Sequence, residues 1–252
     1  MTLSARDADN SASSHPCSAV THTSRPAVFR TFLTYAARGP WPLTRAVWRF
    51  LSAPLVQVAA LLPDNDTVVD VGCGQGHFLR YCHERGMRRL VGLELSGRSL
   101  ARASTCLPTS VRLVQGRAQE LPVRRAAAIV ALDVLYLLEP EQQEMFIAAA
   151  ASALRPGGLL LIKTMEPTRE IRQMANRLQE WLAVRVLHIT LGRDFFFRSA
   201  SEWVALCQSH GMQAYDVPLW RGYLHPHVLI VARGGVGAGD RSHGCAPPAN
   251  GR

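Results

Sequence analysis

The stretch TVVDVGCGQG, residues 67–76, decides the fold of this chain. Its first half is a short run of β-branched residues, which is typical of a buried strand. Its second half is a turn that contains Gly72, Gly74 and Gly76. The next segment, HFLRYCHERG (77–86), has helical spacing and ends in a glycine. A buried strand that enters a helix through a glycine-rich turn is a general nucleotide-binding device, because glycine lets a ligand lie against bare backbone.

The alternation of strands and helices continues after this turn. Short apolar strands are predicted at LVGLEL (90–95), VRLVQG (111–116), AAIVALD (127–133) and LLLIKTM (159–165). Helical segments separate them, which favours a parallel sheet covered on both faces. Two further strands, QAYDVPL and HVLIVAR, are predicted to form an antiparallel hairpin. The expected fold is therefore α/β: a Rossmann-like seven-stranded, mostly parallel sheet with helices on both faces and a C-terminal antiparallel hairpin.

Composition divides the chain into one domain and two tails. The 252 residues, 48% of them hydrophobic, suit one domain of ordinary size. Residues 1–27 show no hydrophobic periodicity and residues 234–252 are rich in Gly, Ala and Pro, so both are predicted to be disordered. The domain between them, 28–233, is expected to begin with helices interrupted near Pro54 and to carry a helical insertion at about 168–197.

The charge balance and the cysteines indicate which partners and which cellular environment suit the protein. The chain has 28 Lys+Arg against 19 Asp+Glu, a net charge of +9. Such an excess suits nucleic acid, an anionic membrane face or an acidic substrate, or reflects an arginine-rich composition alone. The six cysteines form no C-x-x-C pair, so no metal site is predicted and a reducing cytoplasm is expected. No apolar run reaches the roughly 18–20 residues that span a membrane.

Three details of the glycine-rich turn and the strand ends beside it reduce the range of ligands that the turn could bind. The spacing is G-x-G-x-G, whereas the dinucleotide fingerprint is G-x-G-x-x-G. Asp70, at the end of the first strand, disfavours a pyrophosphate and favours a ligand that carries an ammonium and a sulfonium. Glu94, at the end of the second strand, can accept hydrogen bonds from both hydroxyls of a ribose.

These motifs, VVDVGCGQG and VGLELS, resemble motif I and the second-strand acidic motif of class I S-adenosylmethionine-dependent methyltransferases. The resemblance continues through VRLVQGRAQELP, IVALDVLYLL and LRPGGLLLIK in the family's order and covers roughly residues 45–233. It implies S-adenosylmethionine as the cofactor, with Asp70 and Gly72 facing its methionine moiety, Glu94 its ribose and Leu95 its adenine. The residues expected around the cofactor are the two carboxylates, the turn and the ends of strands two to four: Asp70, Gly72, Cys73, Gly74, Gly76, Glu94, Leu95, Ala118, Gln119 and Asp133.

The chain departs from the family pattern after the third strand. The family usually has an acidic residue there that faces the adenine amino group, but here Arg117 follows Gly116. The backbone of Ala118 and the side chain of Gln119 are expected to recognise the adenine instead.

The acceptor is expected beyond the carboxyl ends of the strands. His225 and His227, just before the last strand, are candidate bases, and Asp133 is a candidate for orienting the cofactor or the acceptor. Tyr136 is a candidate pocket residue and Lys163 a candidate partner for an anionic substrate group. Each of these side chains also has a purely structural interpretation, as a core, capping or solvated residue.

Two aromatic segments have alternative interpretations. Phe195 to Phe197, with Trp181 in the predicted insertion, form either a core-packing face or the wall of a pocket for a large apolar acceptor. Near the start of the domain, three aromatic residues lie among three arginines: Trp41, Trp48 and Phe50 with Arg38, Arg45 and Arg49. This combination suits a membrane interface, and it also suits a core helix with a solvated face.

The predicted function is methyl transfer from S-adenosylmethionine to a small-molecule, apolar or lipid-like acceptor, in the cytoplasm and with a weak peripheral membrane contact. The alternatives are an RNA methyltransferase, a dinucleotide-dependent oxidoreductase and a non-catalytic protein that keeps the fold. Nucleic acid is not expected as a partner, because the charge is dispersed and Asp133-Val-Leu-Tyr136 stands where Asn/Asp-Pro-Pro-Tyr/Phe is required.

Overall fold

The computed structural model describes residues 20–165, 195–219 and 227–235, with side chains from residue 25 onward. In chain order its elements are α1 (Val20–Ala36), α2 (Pro40–Ser52), α3 (Leu55–Ala60), β1 (Val68–Val71), α4 (His77–Glu84), β2 (Leu90–Glu94), α5 (Gly97–Cys106), β3 (Arg112–Gln115), β4 (Ala126–Leu132), a 3-10 turn (Leu135–Leu137), α6 (Pro140–Ala153), β5 (Leu154–Met165), α7 (Ala200–Ser209), β6 (Gln213–Pro218) and β7 (His227–Arg233).

The strands form one seven-stranded sheet in the order β3-β2-β1-β4-β5-β7-β6. Strands β1 to β5 are parallel, and β7 runs antiparallel between β5 and β6. The predicted α/β fold with its C-terminal hairpin is confirmed. Because the parallel strands all end at one edge, the residues that follow β1, β2 and β4 are brought together there.

Side chains alternate between two cores, one on each face of the sheet. One core includes Val58 and Leu79 from the helices α3 and α4, and the other includes Phe146 and Trp203 from α6 and α7. Helices therefore cover both faces, which explains why β1 and β4 are buried along their whole length. In β1 the neighbours of Asp70 point into the second core, so Asp70 faces the first.

Side-chain caps begin two of the helices. Ser96 caps α5 by accepting a hydrogen bond from the backbone N–H of Ser99, at 3.2 Å. Ser199 and Glu202 form a reciprocal capping box at the start of α7. These caps fix where the helices begin and hence how the preceding strand ends are presented.

The domain begins earlier than the sequence predicted. Residues 20–27, expected to belong to a disordered tail, form the first turns of α1, and Pro26 lies within that helix. The buried positions of the helix are Ala27, Thr31 and Tyr35, at successive four-residue steps. Since one of them is small and another polar, the helix shows little hydrophobic periodicity despite its packing.

Two other boundaries also differ. Strand β5 begins at Leu154, before the predicted start, with a register shift where it pairs with the beginning of β4. The N–H of Gly234, predicted to open the C-terminal tail, donates to the carbonyl of Gly158 at 2.9 Å. The other predictions for the tails, for most of the 168–197 insertion and for His225 fall outside the described residues. None of the helices described is long and apolar enough to cross a membrane.

Candidate functional site

The glycine-rich turn follows β1 at the carboxyl edge of the sheet. Gly72, Gly74 and Gly76 all have positive φ, at +71°, +56° and +80°. A Cβ on Gly72 would lie 2.6 Å from Val134, and one on Gly76 would lie 2.6 Å from Leu107. A Cβ on Gly74 would meet no atom within 4 Å. Packing therefore requires the first and third glycines, whereas the second presents bare backbone to open space.

The side chain of Cys73 does not face this space. Its sulfur is buried against β2, since a Cβ added to Gly92 would lie 2.8 Å from it. Burial raises the pKa of the Cys73 thiol. Only the backbone of Cys73 is therefore suited to contact a ligand at the turn.

The carboxylate of Glu94 fastens the turn to the second strand. Its Oε2 accepts a hydrogen bond from the N–H of Gly74 at 2.9 Å, and its Oε1 accepts one from the N–H of Ser96 at 2.9 Å. Each carboxylate oxygen keeps further acceptor capacity. The side chain is thus held in place with acceptor sites left for a ligand diol.

Asp70 is a buried carboxylate beside the turn. It is 2% exposed, and burial raises its pKa to about 7. The negative charge of Glu94 acts in the same direction and the positive charge of Arg49 acts against it. A buried carboxylate without full compensation is suited to receive a cationic group of a ligand.

A cleft of about 680 Å³ opens beside the turn, which is large enough for a nucleoside-sized ligand. The sequence-predicted cofactor residues that line it are Gly72, Glu94, Leu95, Ala118, Gln119 and Asp133. The structure thus brings residues that follow four strands into one cleft, whereas Asp70, Cys73, Gly74 and Gly76 are not among its lining residues. Cofactor binding by these residues stays a prediction.

The side chain of Gln119 has an open acceptor at this cleft. Its amide oxygen is buried and has no hydrogen-bond partner among the residues that the structure describes. Leaving a buried acceptor unsatisfied costs about 1–3 kcal/mol, so a ligand amino group would be stabilised there. Arg117, which stands where an acidic residue is usual, is exposed.

Two cations hold the carboxylate of Asp133 at the end of β4. Arg49 donates to its Oδ2 at 2.6 Å, and the Nζ of Lys163 donates to its Oδ1. Burial acts to raise the pKa of Asp133, but the charges of Lys163 and Arg49 outweigh it and hold that pKa below its ordinary value. With both oxygens engaged and the group ionised, the geometry favours an orienting role for Asp133 over that of a base.

We expect Asp133→Asn to lower the free energy of unfolding by about 3–5 kcal/mol, because one partner of a buried ion pair is removed. The side chain of Lys163 is 1% exposed and would be left beside a neutral amide. The backbone φ of Asp133 is +58°, a conformation that asparagine tolerates, so the substitution adds no backbone strain. Urea denaturation measures the loss.

The matched control for this prediction is the double variant Asp133→Asn with Lys163→Met, which also removes the buried positive charge of Lys163. It should recover much of the lost stability. Equal losses in the single and the double variant would contradict the ion-pair interpretation.

The structure places His227 outside the lining of the cleft. His227 begins β7 opposite Met165 at the end of β5, so it lies at the carboxyl edge of the sheet. It is 3% exposed and is not among the residues that line the cleft. His225 is outside the described residues, and catalysis by either histidine stays a prediction.

The aromatic segment before α7 both packs against Tyr136 and lines the cleft. Phe195 and Phe197 flank the ring of Tyr136, with ring centroids 5.8 and 5.2 Å away. Phe196 lines the cleft, and its backbone donates to the carbonyl of Tyr136 at 2.9 Å and accepts from the amide of Gln143 at 2.8 Å. Phe195 and Phe197 therefore pack against Tyr136, whereas Phe196 lines the cleft; that the cleft takes a large apolar acceptor stays a prediction.

Sequence reasoning did not assign Arg49 or Tyr35 to the site. Arg49 was grouped with Phe50 in a segment interpreted either as a membrane interface or as a core helix with a solvated face, and Phe50 packs inside the domain, with its ring centroid 5.5 Å from that of Tyr81. The hydroxyl of Tyr35 donates to the carbonyl of Gln75 in the glycine-rich turn at 2.9 Å. The available signal was helical spacing, which puts Arg49 at the border of the buried stripe of α2.

Comparisons with known proteins identify the family of this chain. The family model described as a methyltransferase domain matches residues 43–217. The chain is 30% identical over 168 residues to a putative O-methyltransferase of Mycobacteroides abscessus, a match that covers 61% of this chain and 75% of that protein. It is 26% identical over 115 residues to the carboxy-S-adenosyl-L-methionine synthase of Alteromonas mediterranea, covering 42% of this chain and 47% of that protein. The chain thus spans about half the length of the second relative.

Solved structures share the fold. An S-adenosylmethionine-dependent methyltransferase from Mesorhizobium loti aligns with a TM-score of 0.57 at 21% identity, covering 72% of this chain and 98% of that one. At this identity the likeness shows the fold alone. The family match, in contrast, extends over well more than half of the sequence. The chain belongs to the methyltransferase domain family.

Proposed function

We propose that this methyltransferase acts on a small-molecule acceptor with an apolar or lipid-like body. The observation that carries the proposal is the apolar wall of the cleft, which is formed by Val134, Leu137 and Leu138 after β4 and by Phe196 before α7. In open parallel sheets, ligands bind beyond the carboxyl ends of the strands, which is where this wall lies. An apolar wall favours a substrate whose burial removes apolar surface from water.

The residues present fit S-adenosylmethionine. The open side of Gly74 leaves room for the ligand against the turn. We assign Asp70 to its ammonium, Glu94 to its ribose and the orphaned oxygen of Gln119 to its adenine amino group. Each assignment pairs a described acceptor with a donor that the cofactor carries.

When bound, S-adenosylmethionine supplies an electrophilic methyl group on a sulfonium, which leaves as a neutral thioether. The chain aligns the reactants and excludes water. Arg49 and Lys163 hold Asp133 in one orientation at the cleft, and Phe196 shields the cleft beside it. A base is needed only if the acceptor carries a proton that must leave, and His227 is the described candidate for that step.

We expect the affinity for adenosylhomocysteine to rise with pH up to about 7 and then to level off. The pKa of Asp70 is raised from 3.8 to about 7, so below pH 7 the free protein holds a proton there. An ammonium favours the ionised carboxylate, and binding must then release that proton, which weakens binding by roughly tenfold for each pH unit below 7. Titration calorimetry between about pH 5.5 and 8 measures the slope.

The control is Asp70→Asn, which cannot ionise and should bind weakly at every pH with a flat profile. A wild-type affinity equal at the two ends of the range would contradict the role of Asp70.

The acceptor class is tested with methyl-labelled cofactor and a fractionated extract of the organism's own cells. We expect label in the organic-soluble fraction, and none when Gly74→Val replaces the wild type. Label confined to RNA would overturn the proposed acceptor and would support the RNA methyltransferase alternative that the net charge of +9 suggests.

A further inference from the structure

A second cleft, of about 390 Å³, lies between the N-terminal helices and α5. Its lining includes three arginines: Arg38 from the α1–α2 connection, Arg45 from α2 and Arg102 from α5. Tyr35 and Trp41 supply aromatic surface. No acidic side chain lines this cleft in the described part of the chain, so it has the chemistry of an anion site.

The three positive charges are not neutralised by any carboxylate of residues 25–165, 195–219 or 227–235. Arg38 donates to the backbone carbonyl of Thr105, and neither Arg45 nor Arg102 forms an ion pair within those ranges. Burial, followed by the positive charges of Arg49 and then Arg45, lowers the pKa of His77, whose ring centroid lies 4.6 Å from that of Tyr35, to about 4. The cleft is therefore a region of uncompensated positive potential.

The helix that carries Arg45 also exposes large apolar side chains. Trp41, Trp48 and Leu51 are 76%, 70% and 68% exposed. Trp41, Arg45 and Trp48 are spaced by four and three residues, which places them on one side of α2. The opposite side carries the buried Ala46, so the exposed aromatic side chains are additional to those that the core requires.

We propose that this face binds the surface of an anionic phospholipid membrane, with a lipid phosphate in the three-arginine cleft. We call it the arginine–tryptophan face: Arg38, Arg45, Arg102, Trp41 and Trp48. Guanidinium groups bind phosphate through paired hydrogen bonds, and tryptophan prefers the boundary between headgroups and acyl chains. Exposed tryptophans beside unpaired arginines complement an anionic, partly apolar surface better than a purely polar one.

Docking in this way would bring the methyl-transfer cleft to the bilayer. Helix α2 carries Trp41, Arg45 and Trp48 of the arginine–tryptophan face. The same helix carries Arg49 near its end, and Arg49 contacts Asp133 at 2.6 Å. A lipid-like acceptor would then reach the cleft from the membrane where it is concentrated. This consequence rests on the proposed function, whereas the membrane contact itself does not.

The test is vesicle co-sedimentation of the full chain without cofactor. Vesicles of phosphatidylcholine alone are compared with vesicles that also contain phosphatidylglycerol, each at low and high salt. We expect binding only to the anionic vesicles, weaker at high salt, with a blue shift of tryptophan fluorescence. Arg45→Gln with Arg102→Gln should lower the partition coefficient about 25-fold, since each basic residue near an anionic surface contributes about fivefold.

The matched control is Arg89→Gln with Arg124→Gln. It also removes two positive charges, from exposed arginines that precede β2 and β4. These arginines lie at the edge of the sheet where the parallel strands begin, opposite the carboxyl edge. It should lower the partition coefficient by less than about threefold. Trp48→Ala, at an exposed position, should weaken vesicle binding severalfold while adenosylhomocysteine affinity stays unchanged in all three variants.

Several results would overturn the proposal. Equal losses in the two double variants would show that dispersed charge alone binds the membrane. Equal binding to neutral vesicles would remove the role of the arginines. Competition by inorganic phosphate without any vesicle binding would indicate a site for a free anion, and RNA binding lost in Arg45→Gln with Arg102→Gln, without vesicle binding, would indicate a nucleic-acid surface. Because adenosylhomocysteine binding is measured separately, none of these results is confused with a failure of the proposed function.

Discussion

Replacing Gly74 with valine is expected to weaken binding of adenosylhomocysteine at least 100-fold while the chain stays folded. A Cβ at this position meets no protein atom within 4 Å, so the new side chain would occupy the space assigned to the cofactor. The N–H of Gly74 would keep its hydrogen bond to Glu94, since the substitution leaves the backbone groups in place. Titration calorimetry measures the affinity, and thermal unfolding reports on the fold.

A control variant distinguishes the exclusion of the cofactor by the valine side chain from the backbone strain that valine causes at a positive φ. Valine at a φ of +56° is strained by about 1–2 kcal/mol, whatever the space around it. Gly211 has a φ of +76° and equally open surroundings, but it precedes β6 at the opposite edge of the sheet. Gly211→Val should therefore lose similar stability and keep its affinity. If Gly74→Val also kept its affinity, the turn would not be where the cofactor lies.

Glu94→Ala is expected to weaken adenosylhomocysteine binding by at least 100-fold. Hydrogen bonds to a charged acceptor contribute about 1.5–3 kcal/mol each, and two ribose hydroxyls would lose theirs. The N–H of Gly74 and that of Ser96 would lose their carboxylate partners as well, which releases the turn from β2. Calorimetry with the purified variant measures the combined effect.

The variant Glu94→Gln distinguishes the loss of the negative charge from the loss of the whole side chain. The amide keeps the shape of the side chain and one acceptor oxygen, so we expect a loss between those of the wild type and the alanine variant. An alanine variant that binds as tightly as the wild type would contradict both the ribose assignment and the fastening of the turn.

The sheet could be predicted because each strand has a recognisable local sequence pattern. β4 is a continuous apolar run and β1 is apolar except for Asp70, since both faces of each strand are buried, and the turn after β1 carries its glycines at positions where the backbone has positive φ. Helix α1 could not be predicted in the same way. Its buried positions include Ala27 and Thr31, and its burial depends on packing against distant elements rather than on a local pattern.

The candidate site was predictable only in part. Strand-end residues such as Glu94 and Gln119 follow from the order of the strands, because parallel strands end at one edge. The ion pairs of Asp133 join it to Arg49 and Lys163, which are 84 and 30 residues away along the chain. Contacts of that range have no local signature in one sequence, so Arg49 was grouped with the surface arginines.

The central claim is that the cleft beside the glycine-rich turn binds S-adenosylmethionine. Titration calorimetry of the wild-type chain with adenosylhomocysteine, alongside NAD at the same concentration, tests it most directly. The account predicts one saturable site for adenosylhomocysteine and no heat of binding for NAD. Saturable binding of NAD, or the absence of binding by adenosylhomocysteine to a folded chain, would contradict it.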